Sequence, residues 1–281
     1  MKGTLIVCAT PIGNLEDVSP RLRATLEAAD VVFAEDTRRT GKLLDRFGIQ
    51  AELRSFFVGN EQQRLGELRE RLRRGETVAL VSDAGMPSVS DPGVLAVRMA
   101  ADVGAQVSVV PGPSAVTSAL ALSGLGGDRF VFEGFLPRSP GERGRRMAAI
   151  EGDDRPTVLF SPPTRVAQDL ADLAEHVGDE RLVVVAREMT KLHEEVWRGT
   201  LRDAAKHWES AVQPRGEFTL VIAPAVARPP DMAEALDAVD ELVAGGQRLS
   251  TAVREVAETQ GISRRMLYEA SLEARTSRDQ T

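Results

Sequence analysis

Between residues 82 and 93 the chain reads SDAGMPSVSDPG, directly after the apolar run Thr77–Val81. A short apolar run that ends in a small, acidic loop with glycine and proline is typical of the carboxyl end of a buried strand. In open α/β sheets, ligands bind at that end of the strands. The loop also predicts a following helix, with Asp91 as N-cap, Pro92 at the first helical position and Gly104 at its end.

The composition is typical of a globular protein with one large or two medium domains. Of its 281 residues, 42% are hydrophobic and 27% are charged, and no apolar run approaches the length that spans a membrane. The first residues lack the apolar core of a signal peptide, so we expect a cytoplasmic protein. One cysteine, Cys8, and three scattered histidines predict neither a disulfide nor a metal site.

The charge is distributed unevenly along the chain. A formal net charge of −7 and an aromatic content of 4% disfavour a general nucleic-acid-binding protein with a base-stacking surface. Arginines nevertheless cluster in two segments, residues 69–74 and 138–146. Local patches of this kind are compatible with phosphate contacts.

The order of apolar and helical patterns predicts two α/β domains followed by helices. Up to residue 124, short apolar runs alternate with helix-period segments, which is typical of a parallel sheet. The elements predicted along the chain include a helix capped by Ser19, the strand Val31–Ala34, a helix ended by Gly48 and a later helix that begins at Thr200. A glycine-rich break at residues 124–127 marks the end of this domain, and a second set of strands and helices follows. A proline-rich linker then leads to three helices. We therefore expect domains at 1–124 and 125–225 and a helix-turn-helix-like segment at 231–275.

A polar loop follows the first predicted strand. It contains Pro11, Gly13 and Asn14, and its glycine lets the backbone approach a ligand. The loop lacks the GxGxxG pattern, which disfavours a dinucleotide-binding fold. An ordinary structural turn explains the same residues.

The loop after the second predicted strand combines two carboxylates with two arginines. Glu35 and Asp36 lie beside Arg38 and Arg39. These side chains can hold a polar substrate or supply a base. They can equally form a solvated cluster of ion pairs, each worth about 0–1 kcal/mol.

Three more strand-end loops carry candidate ligand contacts. The acidic loop quoted first supplies Asp83 and Asp91, which can accept hydrogen bonds from ribose hydroxyls or a cation, although a helix cap also explains Asp91. Residues 110–115 read VPGPSA and offer backbone groups to a flat ligand, although Ser114 also fits as an N-cap. Residues 187–195 read REMTKLHEE, a dense polar run that suits a substrate mouth or an ordinary surface turn.

The loops in this order resemble one family. The motifs are TPIGNL (10–15), AEDTR (34–38), SDAGMP (82–87), SDPG (90–93), PGPSA (111–115), EGFLP (133–137) and REMTK (187–191). Together they resemble the ribosomal RNA small-subunit methyltransferase I family, a branch of the tetrapyrrole-methylase superfamily. The similarity runs from residue 4 to near residue 223, and the helical tail resembles the helix-turn-helix segment of that family.

The resemblance implies a two-domain α/β enzyme, normally a homodimer, that binds S-adenosylmethionine in the cleft between its domains. It implies 2′-O-methylation of a cytidine ribose in the decoding region of 16S rRNA, within the small ribosomal subunit. Carried over motif by motif, the contacts to the methyl donor are Asp83, Gly85, Met86, Val89, Ser90, Gly112, Ser114 and Ala115. The acceptor side is implied to include Pro11, Gly13, Asn14 and Arg38.

One segment departs from the family pattern. A strand of the family's second domain commonly ends in a run like FYESPHR, whereas residues 159–165 of this chain read LFSPPTR. Ser161 and Thr164 therefore stand at the family's Glu and His positions. No catalytic role is carried over to these two side chains.

Transfer of a methyl group to a ribose hydroxyl is an in-line displacement that depends on holding the two reacting atoms together. Because the hydroxyl is a weak acid, a positioned base is expected to help by about 10²–10⁴-fold. The candidate bases are Asp36, to be tested first, Glu35 and Glu188.

A negatively charged protein needs local cations to bind RNA. We expect phosphate contacts from an arginine rim formed by the 138–146 segment together with three other arginines. Its members are Arg38, Arg39, Arg138, Arg143, Arg145, Arg146 and Arg165. RNA shape and a splayed-out cytidine are then expected to provide specificity. The 138–146 segment can instead be a solvated loop, and the last three helices can contact RNA or support a dimer.

Two other functions fit much of the same pattern. A corrinoid or porphyrinoid methyltransferase has this fold, although the loops at 9–14 and 35–38 and the helical tail argue against it. A catalytically silent ribosome-assembly factor keeps the fold and lacks the chemistry. Binding of S-adenosylmethionine, and transfer of a labelled methyl group to RNA or to a tetrapyrrole, separate these possibilities.

Overall fold

A computed structural model describes residues 2–210, 215–225 and 231–278. The chain divides into a larger unit, Met1–Ala225, and a smaller unit, Val226–Thr281. No helix in these described ranges is long and apolar enough to cross a membrane.

The first sheet of the larger unit is parallel throughout, as predicted. Its strand order is β3-β2-β4-β1-β5. The strands are β1 (Thr4–Cys8), β2 (Val31–Ala34), β3 (Leu53–Ser55), β4 (Thr77–Val81) and β5 (Gln106–Val110). Helices cover both faces, which explains why the central strands read as nearly continuous apolar runs.

Four helices and one short 3₁₀ turn (Leu15–Asp17) connect these strands, and a fifth helix follows β5. The helices are α1 (Pro20–Ala28), α2 (Thr37–Phe47), α3 (Glu61–Arg73), α4 (Val94–Asp102) and α5 (Ala115–Ser123). Ser19 caps α1 by accepting a hydrogen bond from the Leu22 amide, and Gly48 ends α2 with φ +67°. Both caps confirm the predictions from the sequence.

The helix after the acidic loop begins later than predicted. α4 starts at Val94, and its N-cap is Gly93 with φ +139°, a conformation that is readily available only to glycine. The prediction that Asp91 caps this helix is therefore wrong. Ser114 occupies the N-cap position of α5 but makes no side-chain capping bond.

The second sheet of the larger unit is mixed. Its strands are β6 (Val131–Phe135), β7 (Thr157–Ser161), β8 (Leu182–Arg187), β9 (Glu195–Thr200) and β10 (Phe218–Ile222). The order is β6-β7-β10-β8-β9, and only the β6–β7 pair is parallel. Thr200 caps the helix that follows β9 by accepting from the Asp203 amide, as predicted.

Helices from both halves of the larger unit cover the second sheet. One face packs against α6 (Pro140–Glu151), α7 (Val166–Val177) and α8 (Leu201–Glu209). The other face packs against α5, through Val116 and Ala119. Because α5 precedes the predicted boundary at residue 124 and still packs on the second sheet, it joins the two halves. The boundary itself stays a prediction.

The arginine-rich segment at 138–146 is helical in the structure, which the sequence patterns did not predict. Most of it belongs to α6, whose buried residues are Met147 and Ile150. Pro140 occupies the first turn of this helix, where its missing N–H costs nothing.

The smaller unit consists of three helices in its described residues, as predicted. They are α9 (Met232–Ala244), α10 (Leu249–Gln260) and α11 (Arg264–Arg278). Their core includes Ala235, Val239, Val253 and Leu267. Gly261, with φ +67°, ends α10 and forms the tight turn into α11. The linker prolines Pro229 and Pro230 lie outside the described residues.

Candidate active site

Two strand-end loops of the first sheet are tied together by backbone hydrogen bonds. The Thr10 amide donates to the Gly85 carbonyl at 2.9 Å, and the Gly85 amide donates to the Thr10 carbonyl at 3.0 Å. The Thr10 hydroxyl also donates to the Ser82 carbonyl at 3.2 Å. Gly85 has φ +77°, which suits a glycine at this crossing. The loops after β1 and β4 are therefore joined into one loop pair.

A cavity of about 320 Å³ lies between this loop pair and the second sheet. Small-molecule sites commonly enclose roughly 300–1,000 Å³, so the size suits a ligand. Six of the eight predicted donor contacts line this first cavity: Gly85, Met86, Val89, Ser90, Ser114 and Ala115. The sequence motifs thus converge in space from two loops that are separate along the chain.

The other two predicted donor contacts lie elsewhere. Asp83 lines a neighbouring cavity. Gly112 is outside the lining of both, and a Cβ built on it would lie 3.1 Å from the Ala9 Cβ. Glycine at 112 therefore permits close approach of the two loops rather than direct contact with a ligand.

The opposite wall of the first cavity comes from the second half of the larger unit, and sequence analysis missed it. Its lining residues are Phe135, Phe160, Ser161, Pro162, Pro163, Glu217, Phe218 and Thr219. Antiparallel pairing of β7 with β10 places Ser161 opposite Phe218. Two signals in the sequence pointed to this wall: the EGFLP motif at 133–137, which contains Phe135, and the departure at 159–165.

A second cavity of about 220 Å³ adjoins the first. The two share the lining residues Ile12, Ala84 and Glu217. The second cavity carries two predicted acceptor residues, the predicted donor contact Asp83 and three cations: Pro11, Gly13, Asp83, Arg39, Lys42 and Lys191. Its mixture of cations and carboxylates suits a polar, phosphate-bearing ligand.

Asn14, the remaining loop residue predicted on the acceptor side, has a structural role. Its side-chain oxygen accepts from the Glu16 amide at 3.0 Å, and its own amide donates to the Thr190 hydroxyl at 3.1 Å. A Cβ on Gly13 would lie 2.4 Å from the Lys191 Cγ. The loop after β1 is therefore in close contact with the loop after β8.

Asp36 and Glu35 differ sharply in their electrostatics. Asp36 is the N-cap of α2 and accepts from the Arg38 amide at 2.8 Å and from its guanidinium at 2.9 and 3.1 Å. These hydrogen bonds lower the pKa of Asp36 to about 2. Partial burial instead raises the pKa of Glu35, whose carboxylate accepts from the Asp83 amide at 3.3 Å. Of the two, Glu35 is the better proton acceptor near neutral pH.

Glu188, the third candidate base, is held in an ion pair. Its carboxylate accepts from Lys191 Nζ at 2.7 Å and from the Glu217 amide at 2.9 Å. Partial burial tends to raise the pKa of Glu188, but these two hydrogen bonds lower it by more. None of the three candidate bases is among the described residues that line either cavity.

Asp91 is a carboxylate of the first cavity, for which the sequence left open a ligand contact or a helix cap. It is half-buried and lines the cavity. Burial, followed by the nearby charge of Glu35, raises its pKa to about 6. Asp91 is therefore ionised at pH 7 and becomes neutral in mild acid.

The predicted arginine rim is only partly available to RNA. Arg143 pairs with Asp169 at 2.9 Å and Asp172 at 2.5 Å, and its side chain is 15% exposed. This geometry disfavours a phosphate contact through Arg143. Arg146 is paired with Glu133, whereas Arg145 is exposed on the same helix.

Two further rim arginines differ in exposure. Arg165 is half-buried and donates to the Leu136 carbonyl at 3.3 Å. Arg38 is 88% exposed, although it is paired with Asp36. The exposed members of the rim are therefore the better candidates for phosphate contacts.

Four non-glycine residues near the cavities have left-handed backbone. They are Ser88 (φ 72°), Ser90 (φ 62°), Glu188 (φ 51°) and Thr190 (φ 67°). Such conformations cost roughly 1–3 kcal/mol each and persist only where the surrounding structure holds them. They are concentrated in the loops after β4 and β8, on opposite sides of the site.

The fold and the paired cavities define a methyltransferase class. Residues 4–205 match the model of the Tetrapyrrole (Corrin/Porphyrin) Methylases, and the chain belongs to this family. A uroporphyrin-III C-methyltransferase from Thermus thermophilus, solved in complex with S-adenyl homocysteine, superposes with a TM-score of 0.57 at 18% identity. That match covers 79% of this chain and 97% of that one, and it shows the common fold.

Closer relatives share one name, Ribosomal RNA small subunit methyltransferase I. The protein of that name from Synechocystis sp. is 43% identical over 274 residues, which is 96% of this chain and 98% of that protein. The one from Thermotoga maritima is 47% identical over 220 residues, which is 78% of this chain and 98% of that protein. The Thermotoga match is close in length to the larger unit alone, Met1–Ala225.

Proposed function

We propose that this protein transfers a methyl group from S-adenosylmethionine to the 2′-hydroxyl of a cytidine ribose in 16S rRNA, in the decoding region of the small ribosomal subunit. One observation carries the proposal: six of the eight predicted donor contacts meet in a single cavity that opens beside a second, cation-lined cavity. The names of the relatives at 43% and 47% identity support the RNA substrate.

The first cavity fits the methyl donor. Phe135, Phe160 and Met86 supply apolar surface for the purine of the donor. Asp91 and Glu217 supply carboxylates for the cationic groups of the donor. When bound, S-adenosylmethionine supplies a methyl group on a positively charged sulfur. The carboxylates of the wall therefore favour the charged donor over its neutral product.

The second cavity suits the RNA acceptor. Lys42 and the exposed Arg39 bring positive charge to a chain that is negative overall, so phosphate is attracted locally, whereas Lys191 is paired with Glu188 and Glu217. Because Ile12, Ala84 and Glu217 belong to both linings, a group in one cavity lies next to a group in the other. Holding the two reactants in this way supplies much of the rate acceleration of a displacement.

Glu35 is the candidate base that the geometry supports best. Its pKa is raised by burial, and it contacts the amide of Asp83, which lines the acceptor cavity. Asp36 and Glu188 remain predictions, but their ion pairs favour the charged carboxylate and weaken both as proton acceptors.

The test is a methyl-transfer assay with three acceptors. Purified protein and labelled S-adenosylmethionine are incubated with 30S subunits, with naked 16S rRNA and with a tetrapyrrole precursor. We expect label in the rRNA, and mass mapping should locate it on a cytidine ribose in the decoding region. Label in the tetrapyrrole, or on a base, contradicts the proposal. Donor binding without any transfer supports a silent assembly factor instead.

We also propose that the protein acts in the cytoplasm as a homodimer, as its resemblance implies. Light scattering after gel filtration measures the oligomeric state directly. A monomer at the concentration of the transfer assay contradicts the dimer.

A further inference from the structure

The hydroxyl proton of Ser161 is committed to a buried carboxylate. Ser161 is the last residue of β7 and lines the first cavity. Its hydroxyl donates to Asp169 Oδ2 at 2.6 Å, and Asp169 is completely buried on α7. Since a serine hydroxyl has one proton, the oxygen of Ser161 presents only lone pairs to the cavity.

Asp169 is itself fixed by a guanidinium. Arg143 on α6 donates to Asp169 Oδ1 at 2.9 Å and also contacts Asp172. A guanidinium can only donate, so Asp169 Oδ1 accepts from Arg143 while Oδ2 accepts from Ser161. With both oxygens of Asp169 engaged, the Ser161 hydroxyl has one orientation.

The backbone beside Ser161 reinforces this polarity. The next two residues of the wall are Pro162 and Pro163, which have no amide proton to donate. This corner of the cavity therefore accepts hydrogen bonds and offers none from these three residues. A ligand atom that lies here must be a donor.

The surrounding side chains indicate which part of the ligand lies in this corner. Phe160 adjoins Ser161, and its ring centroid lies 5.5 Å from that of Phe135, so both flank the corner with aromatic surface. A flat purine suits this surface, whereas the cationic part of the donor suits the carboxylates Asp91 and Glu217. An adenine presents a 6-amino donor at its edge.

We propose that Ser161, oriented by Asp169 and Arg143, accepts a hydrogen bond from the 6-amino group of the donor's adenine and makes the site specific for it. The inference rests on the proposed function, because it assumes that the first cavity binds S-adenosylmethionine. A 6-oxo purine places a carbonyl oxygen against the Ser161 oxygen and is rejected. Ser161 is the contact, and Asp169 is a positioning residue.

The experiment compares two ligands by calorimetry: S-adenosylhomocysteine and its 6-oxo analogue, S-inosylhomocysteine. We expect wild type to prefer the amino compound by about 10–100-fold, the range for a mismatched hydrogen bond in an enclosed site. Ser161→Ala should lower affinity for the amino compound by about 5–10-fold and bring the preference close to unity.

Asp169→Asn tests the positioning role. The Ser161 proton is then free to turn toward a 6-oxo group, so we expect the preference to fall by about tenfold. The variant also loses half of a buried ion pair, so its melting temperature should fall, and a single cooperative melting transition above the assay temperature is the check on folding. Asp172→Asn is the matched control, because Asp172 contacts Arg143 but not Ser161. It should leave the preference unchanged.

The outcomes separate the inference from the proposed function. If wild type binds neither compound, the donor site itself is wrong and the inference falls with it. If wild type binds S-adenosylhomocysteine and Ser161→Ala keeps both affinity and preference, the inference alone is overturned. Equal weakening of both compounds by Ser161→Ala also overturns it, because the lost contact is then not to the 6-amino group.

Discussion

At the scale of single residues, the strand-end loops of the first sheet shift the pKa values of their carboxyl groups in opposite directions. Hydrogen bonds from Arg38 lower the pKa of Asp36 to about 2, whereas burial and the charge of Glu35 raise that of Asp91 to about 6. A permanently charged cap and a carboxylate that titrates near neutrality thus lie close together. Two predictions follow from this contrast.

The first concerns the pH dependence of donor binding. The raised pKa means that Asp91 is neutral below about pH 6 and charged above it, so a cationic donor binds better at the higher pH. If the donor lowers the pKa of Asp91 by about one unit on binding, its Kd should weaken roughly fivefold from pH 7 to pH 5. Calorimetry across this range measures it.

Asp91→Asn is the control for this effect. The amide cannot titrate, so the variant should bind less tightly at pH 7 and show a flat profile between pH 5 and pH 7. A variant that keeps the wild-type slope shows that another group is responsible.

The second prediction ranks the candidate bases. Glu35→Gln should lower kcat about 10²-fold with little change in donor affinity, because the variant retains the size of the side chain and loses its basicity. Asp36→Asn should keep most of the turnover, since asparagine also caps a helix well. Single-turnover methylation of 30S subunits compares them. A larger loss in Asp36→Asn would assign the base to Asp36.

At the scale of secondary structure, buried strands were predictable and one surface helix was not. Strands β2 and β4 match their predicted bounds because fully buried parallel strands are continuous apolar runs bounded by polar turns. Helix α6 was missed because Gly141, Gly144 and its arginines leave only two buried apolar positions. Its helical period was therefore too weak to recognise.

The candidate site was predictable on one side only. The loops after β4 and β5 carry local motifs, so short stretches of sequence were enough to predict the residues that line the cavity on this side. Ser161 and Phe218 lie opposite each other only because β7 and β10 pair in antiparallel register, and Phe218 lies in no motif of its own. Asp91 was assigned to a cap because Gly93 was not recognised as the true start of α4.

Helix α6 supports a prediction about RNA binding that distinguishes exposed from paired arginines. Arg145→Glu should weaken binding to 16S rRNA and reduce the salt dependence of the affinity, by a slope of about 1–2, because an exposed cation is replaced by an anion. Filter binding at several salt concentrations measures both quantities.

Arg143→Met is the comparison variant for this prediction. Because it leaves Asp169 buried without its guanidinium, we expect a loss of stability of about 3–5 kcal/mol. Its effect on the salt dependence should be small. An unchanged salt slope in Arg145→Glu removes α6 from the RNA-binding surface.

At the scale of the whole molecule, the proposed donor site lies within the larger unit. Both cavities are lined by residues of Met1–Ala225, and α5 packs against the sheet of the other half. The Thermotoga maritima relative matches over 220 residues, a length close to this unit. We therefore expect the cavity to form without the smaller helical unit.

A truncation tests this division. The chain ending at Ala225 should fold and bind S-adenosylhomocysteine with a Kd within about twofold of the full chain, since the lining residues are intact. If the last three helices contact RNA, methylation of 30S subunits should fall while donor affinity does not. Failure of the fragment to bind the donor would show that the smaller unit supports the site.

The four left-handed residues of the loops after β4 and β8 have an evolutionary and practical consequence. Glycine or asparagine would relieve the tension at Ser88, Ser90, Glu188 and Thr190, so selection for heat resistance alone would favour such replacements. The strained loops therefore keep the site preformed at a cost in folding stability. Glycine or asparagine at these positions should raise the stability of the protein and lower its turnover. Stabilising substitutions in helices that do not line the cavities should leave turnover unchanged.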